Sequence, residues 1–143
     1  MATDTGILVT LYEAYNRHDA EAAAALYAAD GTHEDVAFGR PARGREAIAE
    51  GLRRLFTAFP DASWTPAAQL EADGQAFSRY VLTGTLQRDM GPIRATGQRL
   101  ELPGVHVLET DSRLITRSQD FWDSGTFQRQ VHGAPSPQGE TAA

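Results

Sequence analysis

The stretch Gln98–Gly133, QRLELPGVHVLETDSRLITRSQDFWDSGTFQRQVHG, decides how this chain is read. Two runs rich in strand-forming residues, about 96–109 and 114–122, flank Thr110-Asp111-Ser112, a segment suited to a tight hairpin. Side chains alternate across a strand, so Leu100, Leu102, Gly104, His106 and Leu108 share one face unless Pro103-Gly104 makes a bulge. In the next strand Ser118, Asp120 and Trp122 share a face, opposite Gln119, Phe121 and Asp123, and Asp123 suits the cap of the following turn. The hairpin therefore offers a lone histidine and a carboxylate to one apolar surface.

Outward from the hairpin the chain reads as helices first and strands after. Ile7, Leu8, Leu11, Tyr12 and Tyr15 keep helical spacing, and Asn16-Arg17-His18-Asp19 breaks the run. Asp19 suits the N-cap of an alanine-rich second helix ending near Ala29, after which Asp30-Gly31 turns the chain. A third helix opens near Gly44, carries Ile48, Leu52, Leu55, Phe56 and Phe59 on one face, and stops at Pro60. Strands are expected over 32–36, over 63–70 with Pro66 marking an edge or bulge, and over 75–87 after the Asp73-Gly74 turn. Along the last of these, Ala76, Ser78, Tyr80 and Leu82 share a face, and Met90-Gly91-Pro92 turns the chain again. The order implies an α+β fold of three N-terminal helices on a curved antiparallel sheet that encloses a cone-shaped cavity.

Composition narrows the classes of function. The 143 residues suffice for a single domain, 1–143, with 134–143 expected as a disordered tail. Hydrophobic residues make up 41% and charged residues 22%, the balance of a globular chain. The absence of cysteine excludes disulfides, thiolate nucleophiles and cysteine metal sites. A net charge of -6 argues against nucleic acid as a partner. No apolar run is long enough to span a bilayer, and MATDTGILVT lacks the build of a signal peptide, so no membrane partner and a cytoplasmic location are expected.

Strand parity also places His33 and Asp35 on one face, so two histidines and two carboxylates can converge among apolar groups. A carboxyl stripped of water holds its proton toward neutral pH and can then exchange it, with a histidine donating to an enolate oxygen. Ketosteroid isomerase is the known small-fold case of this chemistry. The bland alternatives are a core histidine at 106, an arginine-holding carboxylate at 120, and exposed polar residues at 33 and 35. His18, in an expected loop, reads as solvated, and His132 falls at the frayed end of the fold and carries little weight. The spacings HxH and HExxH do not occur, and no metal is expected.

Four segments read together resemble the SnoaL-like polyketide cyclase branch of the NTF2-like superfamily: YEAYNRHDAEAAAALYAADGTHED (12–35), GREAIAEGLRRLFTAFPD (44–61), GQRLELPGVHVLE (97–109) and ITRSQDFWDSGTFQRQVHG (115–133). The resemblance implies the NTF2-like α+β barrel and assembly as a homo-oligomer, dimer or tetramer. In cyclase members a last-strand aspartate is the general acid/base of an intramolecular aldol condensation, and it falls on Asp120; a histidine of the preceding strand falls on His106. THEDVAFGRPARGREAI (32–48) and RSQDFWDSGTFQRQ (117–130) look more like a subgroup implicated in hydroxylating anthracycline skeletons, which lacks a flavin or metal motif and would depend on dioxygen and a separate NADPH reductase.

Departures from neighbouring branches narrow this further. The epoxide hydrolase pattern wants arginine where Gln119 stands and an arginine-x-aspartate where Arg79-Tyr80-Val81 stands, so that activity is rejected. A steroid-isomerase role has Asp35 and Tyr12 or Tyr15 but no evident oxyanion partner. The expectation is a cofactor-independent tailoring enzyme of aromatic polyketides, a hydroxylase with ring-closing cyclase as the alternative and a non-catalytic hydrophobic-ligand carrier as the rival. Asp120 and His106 are its expected catalytic pair. His33, Asp35, Trp122, Trp64, Tyr80 and Tyr15 are expected to hold the polycyclic substrate.

Overall fold

The hairpin read from residues 98–122 forms the centre of the sheet. In the computed structural model, which describes residues 6–132, β5 (Arg99–Asp111) and β6 (Leu114–Trp122) pair antiparallel with His106 opposite Asp120. Burial alternates as parity requires from Leu100 to Leu108 on β5 and at Ser118 and Asp120 on β6, while Ile115 is buried out of phase with them, beyond a register shift. No bulge interrupts Pro103-Gly104; the register slips instead between Glu109 and Thr110. The turn sits at Ser112-Arg113, whose φ angles of 52° and 69° match the right-handed twist of the flanking strands.

Around this pair lie β1 (Tyr27–Asp35), β2 (Arg40–Arg43), β3 (Ser63–Ala72) and β4 (Gln75–Thr85), in the order β2-β1-β6-β5-β4-β3. The expected wholly antiparallel sheet is corrected to a mixed one, because β1 runs parallel to β6. Pro66 does fall at a register shift on the edge strand β3, where a missing N–H is tolerated. β2, unforeseen in the sequence, is the opposite edge and accommodates Pro41 for the same reason.

The helices are α1 (Ile7–Asn16), α2 (Ala20–Ala24), α3 (Arg45–Ala58) and α4 (Ser124–Val131). The alanine-rich α2 is much shorter than its composition suggests. Residues from Tyr27 onward leave the helix to pair with β6, and tertiary pairing outweighs alanine propensity. Asp30-Gly31, expected to turn the chain after that helix, lies within β1, in the irregular stretch between Tyr27 and Thr32 where the register with β6 shifts. A Cβ at Gly31 would stand 2.8 Å from the carbonyl oxygen of Ile115, so close approach of β1 to β6 requires glycine there.

α4 is the fourth helix among the described residues, where three were expected. Asp123, expected to cap a turn, caps this helix by accepting from Thr126 N–H at 2.9 Å. Phe127 and Val131 bury its inner face, and the Gln130 carboxamide accepts from Glu101 N–H at 2.9 Å to hold it on β5. His18 is not simply solvated: its ring stacks on Phe56 at 4.4 Å and lies 2.8 Å from the Ala62 carbonyl. The expected tail, 134–143, lies outside the described residues.

Gly104 is a second position where a side chain is forbidden. Its register partner is Tyr80 on β4, and a Cβ would land on the phenol ring and hydroxyl of that residue. Gly104→Ala is expected to cost about 1–3 kcal/mol in urea unfolding, as overpacking of a filled interior does. Adding Tyr80→Phe to that variant should recover part of the loss, since it removes one of the clashing atoms.

Candidate active site

Two neighbouring strands supply the polar groups of the interior. On β1, His33 and Asp35 project where β6 presents Ser118 and Asp120, the parallel register pairing His33 with Ser118 and Asp35 with Asp120. Ser118 Oγ lies 2.7 Å from His33 Nδ1 and 2.6 Å from the Tyr27 hydroxyl. His33 Nε2 stands 3.6 Å from Asp35 Oδ2, and the other oxygen of Asp35 accepts from Trp122 Nε1–H at 3.2 Å. Tyr80, free to cross the space above Gly104, donates its hydroxyl to Asp120 Oδ1.

These contacts set the charges. Burial pushes the Asp120 carboxyl up to about 7, and the negative charge of Asp35 adds to the shift; His33 and the Tyr80 hydrogen bond hold it back. Asp120 is 8% exposed. Burial also works to raise Asp35, yet the hydrogen bond and charge of His33, with Trp122, outweigh it and hold this carboxyl below its ordinary range. For His33, burial acts downward, but the hydrogen bond and charge of Asp35 prevail and its affinity for a proton rises. The site therefore holds two carboxyls side by side, one kept ionised by an imidazole and one poised to exchange a proton near neutrality.

His106 behaves differently from the sequence expectation. It faces the same side of the sheet as Asp120, but α1 covers that part. Tyr12 and Tyr15 lie parallel to its ring at 6.1 and 6.2 Å, and its exposure is 0%. Burial, with the charge of His33, pushes its imidazole down to about 3, so it stays neutral. Its Nδ1 is 3.5 Å from the Tyr12 hydroxyl, while Nε2 has no partner among the described residues.

A cavity of about 510 Å³ opens beside the acid pair, large enough for a drug-sized ligand. Of the expected site residues, Asp120, His33, Asp35, Trp122, Trp64, Tyr80 and Tyr15 all line it; His106 does not. Tyr15 meets Trp64 at 4.7 Å, and the Asn16 carboxamide fixes the Trp64 backbone by accepting from its N–H at 2.7 Å and donating to its carbonyl at 2.9 Å. Phe38 and Phe127 flank Trp122 at 5.0 and 5.2 Å. Sequence reasoning missed Tyr27, because it fell within the expected second helix, and Ser118, which parity had already placed beside Asp120. It missed the part of Gly104, whose lack of a side chain becomes informative only once Tyr80 is known to stand opposite. His33, Asp35 and Asp120 each bring one nitrogen or oxygen to within 4.8 Å of the others, which makes them the group among the described residues able to hold a metal ion.

The SnoaL-like domain family matches residues 8–118, and the chain belongs to that family. Its fold is the NTF2-like fold with a six-stranded curved sheet. A candidate polyketide cyclase from Xanthomonas campestris pv. campestris is 26% identical, with 87% of this chain and 93% of that one covered at a TM-score of 0.80. A hypothetical protein with a ketosteroid isomerase-like fold from Catenulispora acidiphila, solved with trimethylamine, is 24% identical over 93% and 96% of the two chains at 0.78. AclR, a candidate hydroxylase from Streptomyces galilaeus, is 17% identical over 90% and 95% at 0.77. No curated protein matches the chain. Among the described residues, no helix is long and apolar enough to cross a membrane.

Folding that favours the protonated form of Asp120 lends stability that is complete below its unfolded value and is lost as pH rises through about 7. Asp120→Asn keeps an acceptor for Tyr80 and never ionises. In urea unfolding at a series of pH values, wild type should therefore lose stability relative to Asp120→Asn as pH rises from 4 to 8. A constant gap across that range would contradict the assignment.

Proposed function

We propose that the protein is a tailoring enzyme of aromatic polyketides that works by enolate chemistry without a metal or flavin. The observation that carries this reading is the Asp120 carboxyl, desolvated and pushed up to about 7 in the wall of an aromatic cavity. A base near neutrality is what removal of a proton beside a carbonyl requires. Membership of the SnoaL-like family and the similarity to a candidate polyketide cyclase support the substrate class.

In the ring-closing form of the reaction, the ionised Asp120 removes a proton from a methylene next to a substrate carbonyl. The electron pair moves onto the carbonyl oxygen and forms an enolate. The enolate carbon then attacks a second carbonyl of the same molecule, a carbon–carbon bond forms, and the new alkoxide takes up a proton, so no atom is lost overall. His33 is placed to stabilise and protonate that oxygen, because it lines the cavity and Asp35 keeps it proton-rich. The oxyanion role expected of His106 passes to His33 in this proposal, since the His106 ring is neutral and sealed under α1. Trp64 and Trp122 stack the ring system, and Tyr80 orients Asp120.

Hydroxylation is the second reading, favoured by the resemblance of residues 32–48 and 117–130 to the hydroxylase subgroup. There the same enolised ring would react with dioxygen, and a separate NADPH reductase would supply the electrons.

The test is aerobic incubation of the pure protein with open-ring polyketide precursors and tetracyclic quinones, with and without a reductase and NADPH. Ring closure without reductant is the expected result; oxygen incorporation that requires reductant would establish the second reading. Asp120→Asn should lower kcat by about 10²–10⁴, the usual contribution of a general base, with ligand binding retained. The rate should rise as pH approaches about 7 and Asp120 ionises, then fall at higher pH as His33 loses the proton it donates. Full turnover in Asp120→Asn would sink the catalytic assignment, and binding without any conversion would identify a carrier.

A further inference from the structure

The cavity is electrically lopsided. Its inner wall carries the two carboxyls Asp35 and Asp120 with the His33 imidazole beside them, whereas its solvent side carries two arginines, Arg40 on β2 and Arg54 on α3. Both arginines are exposed. Among the described residues no carboxylate lies within ion-pair distance of Arg40, and Arg54 reaches only Glu50, at 3.5 Å. The register sets Arg40 opposite Asp35, so the strand that supplies the inner acid has a cation beside it on the edge.

Gly51 stands between these features on α3. It lines the cavity one turn before Arg54, in the interior of a helix, where glycine is among the poorest choices. No packing demands it: a Cβ there would meet nothing within 4 Å. A glycine that weakens its helix and touches nothing leaves an open path at the mouth.

We infer that Arg40 and Arg54 anchor an anionic group at the cavity mouth, over Gly51, and that the ligand is an aromatic keto acid held carbonyl-inward and carboxylate-outward. This deepens the proposed function, resting on the same cavity, by naming a feature of the substrate and its orientation. The inner acids, one of them offset by His33, give a carboxylate no net attraction, whereas the outer arginines attract it, so the charge pattern favours the carboxylate-outward direction. The enolisable end thereby arrives at Asp120. The guanidinium groups offer paired N–H donors that suit a carboxylate.

The probes are anthraquinone-2-carboxylate and anthraquinone-2-carboxamide, alike in shape and different in charge. Trp64 and Trp122, the two tryptophans of the chain, both line the cavity, so quenching of their fluorescence reads occupancy directly. At low salt the wild type should bind the acid about tenfold tighter than the amide, with roughly threefold from each exposed arginine. Arg40→Gln and Arg54→Gln should each remove about a threefold share of the acid's affinity, leave the amide unchanged, and together abolish the preference. Gly51→Leu should weaken both probes. Equal binding of acid and amide to wild type, failure of both to quench, a preference that survives in the double variant, or undiminished binding to Gly51→Leu would each overturn the inference. Binding needs no turnover, so an error in the catalytic role of Asp120 would leave these affinities unchanged.

Discussion

The polar network of this interior depends on one strand pairing, the parallel docking of β1 on β6. It sets Asp35 beside Asp120 and His33 beside Ser118. Had β1 paired elsewhere, Asp120 would be a lone buried carboxyl and His33 a surface residue. The pairing is tight enough to exclude a side chain at Gly31, and it takes Tyr27 out of the alanine-rich helix to reach Ser118. Helices α1 and α3 then cover the concave face and keep water from the acids, and the loss of water is the largest cause of the shift at Asp120.

Two arrangements of polar groups in the interior have different fates. One is a connected chain from Tyr27 through Ser118, His33 and Asp35 to Trp122, in which each member has a partner. Such a network holds its members in place and lets charge persist inside the fold. The other is His106, pressed between strand and helix with a neutral ring and one long contact to Tyr12. The two histidines lie 5.9 Å apart, ring centre to ring centre, yet only one reaches the cavity. Asp120 belongs to neither completely. Tyr80 restrains one of its oxygens, and its wall position keeps it available to a ligand.

Membership of the SnoaL-like family defines a scaffold on which several reactions occur, so the site carries the functional argument. Here the site is an aromatic box with an acid end. The tryptophans and phenylalanines line it with apolar area, and the paired carboxyls lie together at one end.

Much of this was legible in the residues alone. Period-two alternation marked the buried faces of β4, β5 and β6, because a sheet covered on one side must alternate. Apolar spacing and Pro60 marked α1 and α3. Asp120, with its desolvated setting beside Trp122, followed from the same parity. What the local pattern could not hold were facts about neighbours distant in the chain. The early end of α2 and the parallel run of β1 are both decided by β6, roughly ninety residues away. α4 forms because β5 offers it a surface. Parity assigns a residue to a face of the sheet, but which part of that face lies under a helix and which opens to a cavity is settled by how the helices pack. That is why His106 and Asp120, paired across one hairpin, end in different surroundings, and why His33 lines the cavity where His106 does not.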